Sequence, residues 1–405
     1  MSKFVKLSSI AELTVGFVGT MAKHYEDEGI PFLRSLNIKP FKIISDDMKY
    51  VSAEFSNSLS KSILHKGDVV IVRTGIPGTC CVVPAEYDGC NCSDVVIVHP
   101  NTELVNPHYL AAYINFWGQR QIQNNKVGAI QQHFNVHSAE EMLIFLPDIT
   151  EQEKIAKTIV ALNGKIENNF SVCVELEAMA KTLYDYWFTQ FDFPDENGKP
   201  YCSSGGEMVW NDQLKRKIPK GWSAGQLSDI ANITMGQSPS GDTYNENGSG
   251  TIFYQGCTDF GTRFPVPRVY TSAPTRFAKA GDILMSVRAP VGTLNIAMED
   301  CCIGRGLAAL NSKFGSQLHL LYTLSGFKQL FDVMDGNGTT FGSITKDTLF
   351  EMKVVIPRRD QIKSFEEMVQ PIEQKIRITE QENRELTKLR DWLLPMLMNG
   401  QAAVE

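Results

Sequence analysis

The sequence has no run approaching the ~18 apolar residues of a membrane-spanning helix, and its start, Met1-Ser2-Lys3-Phe4, has no apolar signal core. There is no C-x-x-C pair, and the nine cysteines are odd in number and scattered. That argues against a structural zinc site and against a disulfide framework, so reduced thiols in a cytoplasmic protein are expected. Neither sign of charge dominates: 39 basic and 46 acidic residues give a net −7. A chain-wide nucleic-acid signature is therefore lacking, and any such function must come from local patches. No phosphate loop is present, because Asp335-Gly336-Asn337-Gly338 lacks a following Lys-Ser or Lys-Thr. What remains is a globular composition, 43% hydrophobic over 405 residues, which is long enough for two or three domains.

The sequence is written twice. Leu7-Ser8-Ser9-Ile10-Ala11-Glu12-Leu13-Thr14-Val15-Gly16 matches Leu227-Ser228-Asp229-Ile230-Ala231-Asn232-Ile233-Thr234-Met235-Gly236. Lys66-Gly67-Asp68-Val69-Val70 matches Ala280-Gly281-Asp282-Ile283-Leu284, and Arg73 falls opposite Arg288. Gly128 through Pro147 lies over Gly338 through Pro357. Beyond these, apolar positions recur at alternating steps of four and three, the seam of a coiled coil. The first seam runs Ile155, Ile159, Leu162, Ile166, Asn169, Cys173, Leu176, Ala180, Leu183, Trp187. Its counterpart runs Phe365, Val369, Ile372, Ile376, Thr379, Asn383, Leu386, Arg390, Leu393, Leu397. Each helix is ~37 residues, or ~55 Å at 1.5 Å per residue. Asn169, Thr379 and Asn383 make both seams polar near their middles, as residues that set register do. Antiparallel pairing would bring them together.

The fold class is mixed α/β (α+β), with two globular domains, two long antiparallel coiled-coil helices and a pseudo-twofold internal repeat. The boundaries are 1–150, a first long helix 151–189, a linker with hairpin 190–221, a second globular domain 222–357 and a second long helix 358–400. Within the linker, Asn197-Gly198 between Pro194 and Pro200 predicts a turn, and Ser203-Ser204-Gly205-Gly206 is expected to be flexible. Asp68 through Val72, Asp94 through Val98 and Met352 through Ile356 read as strands.

Few motifs could carry chemistry. Asn106-Pro107-His108-Tyr109 resembles the Asn-Pro-Pro-Tyr motif of adenine-N6 methyltransferases, but differs at its third position and follows no cofactor glycine loop. Its simpler reading is an N-cap followed by proline at the first helical position. Pro194-Asp195-Glu196 with Lys199 has the wrong spacing for a metal nuclease. His133 and His137 share a helix face only if that segment is helical, so no metal site is expected.

Local charge says more. Between Asp259 and Asp282 lie Arg263, Arg268, Arg276 and Lys279, with Phe264, Tyr270 and Phe277 interleaved and no acid. Arg34, Lys39 and Lys42 sit between Glu28 and Asp46. The acid-free stretch from Glu103 to Glu140 carries Arg120, Lys126, five glutamines and three histidines. Such patches suit phosphate contact, with amides reading base edges. The candidate DNA contacts are therefore Arg34, Lys39, Lys42, Arg73, Lys126, Gln131, Gln132, His133, Arg263, Arg268, Arg276, Lys279, Arg288, Asn337, Thr339 and Thr340. The helix-seam candidates are Ile159, Leu162, Ile166, Asn169, Ile372, Ile376, Thr379 and Asn383.

Over its whole length the chain resembles the specificity subunit of type I restriction-modification systems. Pro219-Lys220-Gly221-Trp222 with Leu227-Ser228-Asp229-Ile230 is similar to the family's domain-opening motif. Leu146-Pro147 with Glu151-Gln152, and Ile356-Pro357 with Asp360-Gln361, resemble its helix starts. Leu183-Tyr184-Asp185-Tyr186-Trp187-Phe188 and Leu393 through Gly400 resemble its helix ends. The first domain lacks the Gly-Trp opener, so its edge is expected to be trimmed, and Asp360 replaces a glutamate at a shorter spacing. The resemblance implies two target-recognition domains and no catalysis by this chain. It implies binding of double-stranded DNA at a bipartite target, two modification (methyltransferase) subunits carrying S-adenosylmethionine, and a restriction (translocase/nuclease) subunit using ATP and Mg. Gln131-Gln132-His133 against Phe341-Gly342-Ser343 implies that the two blocks of the target differ. The competing readings are a stand-alone adenine-N6 DNA methyltransferase with Asn106 in its site, and a scaffold that binds no DNA.

Overall fold

A computed structural model describes residues 3–118, 121, 134–328, 330–331, 343–399 and 401. The chain divides into two compact units, Met1–Asn169 with Glu382–Glu405, and Phe170–Gln381. Each is a mixed α/β domain carrying parts of two long helices.

In the first unit a four-stranded antiparallel sheet runs Ala11–Val15, Val95–Pro100, Val69–Val72, Cys80–Val82. Val69 to Val72 and Val95 to Val98 are all buried, so both faces are covered and the strands read as unbroken apolar runs. The second unit repeats the order with Ala231–Met235, Leu307–Ser312, Ile283–Ser286, Leu294–Ile296. The shared Gly-Asp pairs open equivalent strands. Gly67 and Gly281 have φ of 95° and 89°, which glycine adopts without strain. Asp68 and Asp282 then accept the backbone N–H of His65 (2.7 Å) and Lys279 (2.8 Å).

A second sheet in each unit contains one parallel pair, Phe32 beside Asn91 and Phe253 beside Cys302. The domain-opening strand Ser223–Gln226 pairs with Lys353–Ile356. Lys3–Lys6 pairs with Leu143–Leu146 in the same register, so the first domain has this strand without a Gly-Trp before it. In the second unit Trp222 instead closes an aromatic cluster. It stacks on Phe193 at 5.1 Å, meets Phe191 edge-on at 5.5 Å and donates to Gln361 Oε1 at 2.8 Å.

The long helices are Ile149–Tyr184, continued by a π-helical turn Asp185–Thr189, and Arg359–Met398. In the first unit Ile155 and Ile159 share a core with Leu394, Leu397 and Met398. Further along, Arg390 donates to Asn163 (3.0 Å), and Asn383 donates to the Ile166 carbonyl (3.1 Å) and accepts from Asn169 (2.9 Å). In the second unit Cys173 and Ile376 meet, and Phe365 packs on Phe188 and Trp187. Numbers rise on one helix as they fall on the other, so the pairing is antiparallel in both units. The polar seam residues Asn169 and Asn383 bond directly, as their sequence positions predicted. Ile159, Asn169, Ile376 and Thr379 are buried; Leu162, Ile166, Ile372 and Asn383 are half-buried.

The linker is more ordered than expected. Its Asn197-Gly198 turn forms, with Asp195 N–H donating to the Lys199 carbonyl at 2.8 Å. A separate two-stranded hairpin follows, Met208–Asn211 with Arg216–Pro219. The Ser203–Gly206 stretch is pinned rather than loose: Ser203 donates through N–H (2.7 Å) and Oγ (2.6 Å) to Asp192. All nine cysteines are free, and among the described residues no helix is long and apolar enough to cross a membrane.

Candidate nucleic-acid interface

The methyltransferase-like motif is a helix cap. Asn106 Oδ1 accepts the N–H groups of His108 (2.9 Å) and Tyr109 (3.2 Å). Pro107 opens the helix, and the hydroxyl of fully buried Tyr109 donates to the Phe145 carbonyl (2.7 Å). Gln152, from the Glu-Gln helix start, receives the Asn106 N–H (2.9 Å) and donates to Leu104 and Pro147. A target-holding asparagine needs a free amide facing a cleft, and a base-stacking ring must be exposed. Neither condition is met: Asn106 serves as a helix cap and Tyr109 as a core residue. Asp195 is likewise a turn residue, its Oδ1 accepting from Asn197 and Lys199 at 2.8 Å each. Burial pushes His319 down to about 3 and the Cys90 and Cys301 thiols up to about 12. These are neutral core groups. Among the described residues no cluster could hold a metal.

The structure sorts the basic candidates. Arg263 is the clearest correction: it is only 7% exposed. Its guanidinium bridges Glu177 (2.7 Å) and Glu373 (2.6 Å) and donates to the Tyr322 hydroxyl (3.2 Å). Burial would lower its pKa, but Glu373, Tyr322 and Glu177 more than reverse this and hold it charged. It ties the globular part of the second unit to both long helices and is not available to phosphate. Arg268 pairs with Asp259 (2.7 Å) and Glu246 (3.1 Å), and Lys279 with Asp300 (2.7 Å). Lys42 pairs with Glu167 (2.8 Å), and Arg34 with Asp47 (2.9 Å). Glu177, Glu373 and Glu167 reach Arg263 and Lys42 from far along the chain, whereas Asp259, Glu246, Asp300 and Asp47 stand at or just beyond the edges of the acid-free windows. Arg73 donates to the Phe134 carbonyl at 3.2 Å. Lys39 is exposed. Lys126, Gln131, Gln132, His133, Asn337, Thr339 and Thr340 lie outside the described residues.

Arg276 and Arg288 stand apart. Both are exposed and make no ion pair among the described residues. Their strands converge on one turn: the Ile303 N–H donates to the Arg276 carbonyl (2.9 Å), and the Val287 N–H, next to Arg288, to the Gly306 carbonyl (2.9 Å). Exposed Arg305 lies between these contacts. It lies beyond the acid-free window, which closes at Asp282. The Gly304-Arg305-Gly306 run was the available signal.

The fold is thus a duplicated α/β domain, each copy with its part of an antiparallel helix pair, and exposed Arg276, Arg288 and Arg305 lie on the second copy. The type I restriction modification DNA specificity domain model matches residues 2–177 and again 219–388, and the chain belongs to that family. It is 29% identical over 399 residues to the MjaX specificity subunit assigned to a type I restriction enzyme of Methanocaldococcus jannaschii, covering 96% of this chain and 91% of that protein. It is 23% identical over 423 residues to the HindI specificity subunit of Haemophilus influenzae, covering 87% and 91%. The crystal structure of the type I restriction-modification S subunit from M. genitalium shares the fold, with a TM-score of 0.58 at 16% identity, covering 98% of this chain and 96% of that one.

Proposed function

We propose that this chain is the non-catalytic DNA-specificity subunit of a cytoplasmic type I restriction-modification complex. The observation that supports it most is the family match falling twice, once on each repeat. The two heads read two short, unequal blocks of double-stranded DNA separated by an unread spacer. The helix pair docks two modification subunits, which bind S-adenosylmethionine and methylate adenine. A restriction subunit supplies ATP- and Mg-dependent translocation and cleavage.

Methylation-site sequencing of cells expressing this chain with its modification subunits tests the reading. One asymmetric, interrupted motif is expected; a continuous block or a gapless palindrome refutes it. S-adenosylmethionine binding by the isolated chain would contradict the non-catalytic role. A scaffold that binds no DNA predicts no DNA retention even after modification subunits are added.

A further inference from the structure

We infer that the Gly304-Arg305-Gly306 turn, together with Gln255, is the base-reading corner of the second recognition domain, and that Arg276 and Arg288 are its phosphate contacts. The inference rests on the DNA-binding reading above and deepens it by assigning residues to roles.

The turn sits where two sheets meet. Its backbone is held by Gly304 N–H to the Tyr254 carbonyl (2.8 Å) and Gly306 N–H to the Gln255 carbonyl (3.2 Å). A methyl carbon added at Gly304 or Gly306 would come within 2.9 Å and 2.7 Å of the Gln255 backbone. Glycine is therefore required on both sides of Arg305, and the close approach places Arg305 beside Gln255. The Gln255 amide is positioned by the Ser238 hydroxyl at 3.0–3.1 Å, and Ser238 Oγ also accepts the Arg305 N–H at 3.2 Å. Gln255 and Gln237 are exposed. The Gln237 N–H donates to the Ile303 carbonyl at 3.0 Å, and Thr275, next to Arg276, donates to the Gln237 carbonyl.

One surface thus gathers three exposed arginines that make no ion pair among the described residues, and two exposed amides on the segments bonded to the turn. A guanidinium fork pairs bidentately with guanine O6 and N7, and a glutamine amide with adenine N6 and N7. Flanking cations on neighbouring strands suit phosphate contacts that fix register. The chemistry recognised is a purine-containing block in a DNA groove.

The same corner of the first unit carries opposite chemistry. There the turn is one residue shorter, so Arg305 has no counterpart; Asp94 stands in the place of Gly306, its carbonyl accepting the Arg73 N–H (3.4 Å) as the Gly306 carbonyl accepts the Val287 N–H, and its carboxylate accepts from Ser35 (3.0 Å) and from Thr74. The two heads therefore cannot read the same bases with this element.

The test is selection of bound duplexes from a randomised pool by the full chain with its modification subunits. Arg305→Ala and Gln255→Ala are compared with Arg276→Ala and Arg288→Ala, with melting as a folding control. Arg305→Ala should lose about 5- to 150-fold discrimination at one or two positions of one block only, leaving the other block intact. Arg276→Ala and Arg288→Ala should weaken binding to all duplexes and lower the salt slope by about 0.9 per lost contact. Unchanged preferences in both blocks for Arg305→Ala and Gln255→Ala overturn this assignment while the DNA reading stands. Absence of any preference in the unaltered chain overturns both.

Discussion

Replacing Arg263 with alanine should damage the fold of the second unit without touching DNA contacts. Arg263 is 9% exposed at its side chain, Glu373 13% and Glu177 39%. Removing one member of a buried ion pair costs about 3–5 kcal/mol, chiefly because the other charge is left buried and unpaired. Glu373 is that group, and its Oε1 already has no hydrogen-bond partner among the described residues. Glu177 is more than a third exposed and water will solvate it, so its share is discounted. The lower end, about 3 kcal/mol, is expected. At roughly 2–4 °C per kcal/mol for a domain of this size, the melting transition should fall by roughly 6–12 °C.

The assay pairs a thermal melt with the salt dependence of DNA affinity. Arg263→Ala should lower the melt and leave the log–log salt slope unchanged. A free phosphate-binding arginine would do the reverse, lowering the slope by about 0.9 at constant stability, and that pattern would refute the clamp. Arg263→Met with Glu373→Leu should recover most of the loss, since an apolar replacement of a buried pair is often neutral.

His99 Nδ1 lies 2.7 Å from Asp68 Oδ1, and that hydrogen bond, outweighing partial burial, raises its pKa above the ordinary 6.5. Its stabilisation of the first unit should be fully present below about pH 6.5 and be lost as pH rises through the raised folded-state value; His99→Asn should flatten that part of a melt-versus-pH curve. Asn383→Ala removes one acceptor of the Asn169 amide, which keeps Glu382 at 2.8 Å, and one donor to the Ile166 carbonyl; it should cost about 0.5–1.5 kcal/mol per lost bond in urea unfolding, whereas an unchanged midpoint would mean the seam amides are solvated. Asn106→Ala should cost ~1 kcal/mol of stability as a lost cap while methylation by the assembled complex persists; abolished methylation in a stably folded variant would revive a catalytic Asn106.

The repeat and the helices were legible because they are written in short-range terms. A 3.5-residue seam needs no knowledge of the rest of the chain, and Asn169 and Asn383 could be paired from their positions within it. Gly67-Asp68 and Gly281-Asp282 were legible as identities, although their use, a left-handed glycine and an aspartate closing the turn, appears only in the backbone. Charge was not legible in the same way. A stretch free of acids along the chain can be dense with them in space: Glu177 and Glu373 reach Arg263 from two helices, and Asp300 and Glu246 reach Lys279 and Arg268 from neighbouring loops. Arg276 and Arg288 make no ion pair among the described residues, and Arg305 lies beyond the window that closes at Asp282, its fold neighbours being Gln255 and Ser238. The same distinction bears on specificity. Both units spend their shared residues on strands, caps and helix contacts, which cannot vary without loss of the fold. The turn that carries Arg305 in one unit is a residue shorter in the other, while the bonds that flank it match: Gly304 N–H to Tyr254 and Ser93 N–H to Leu33, Val287 N–H to Gly306 and Arg73 N–H to Asp94, so the turn differs while the frame persists. A duplicated frame with unlike corners is what an asymmetric target requires.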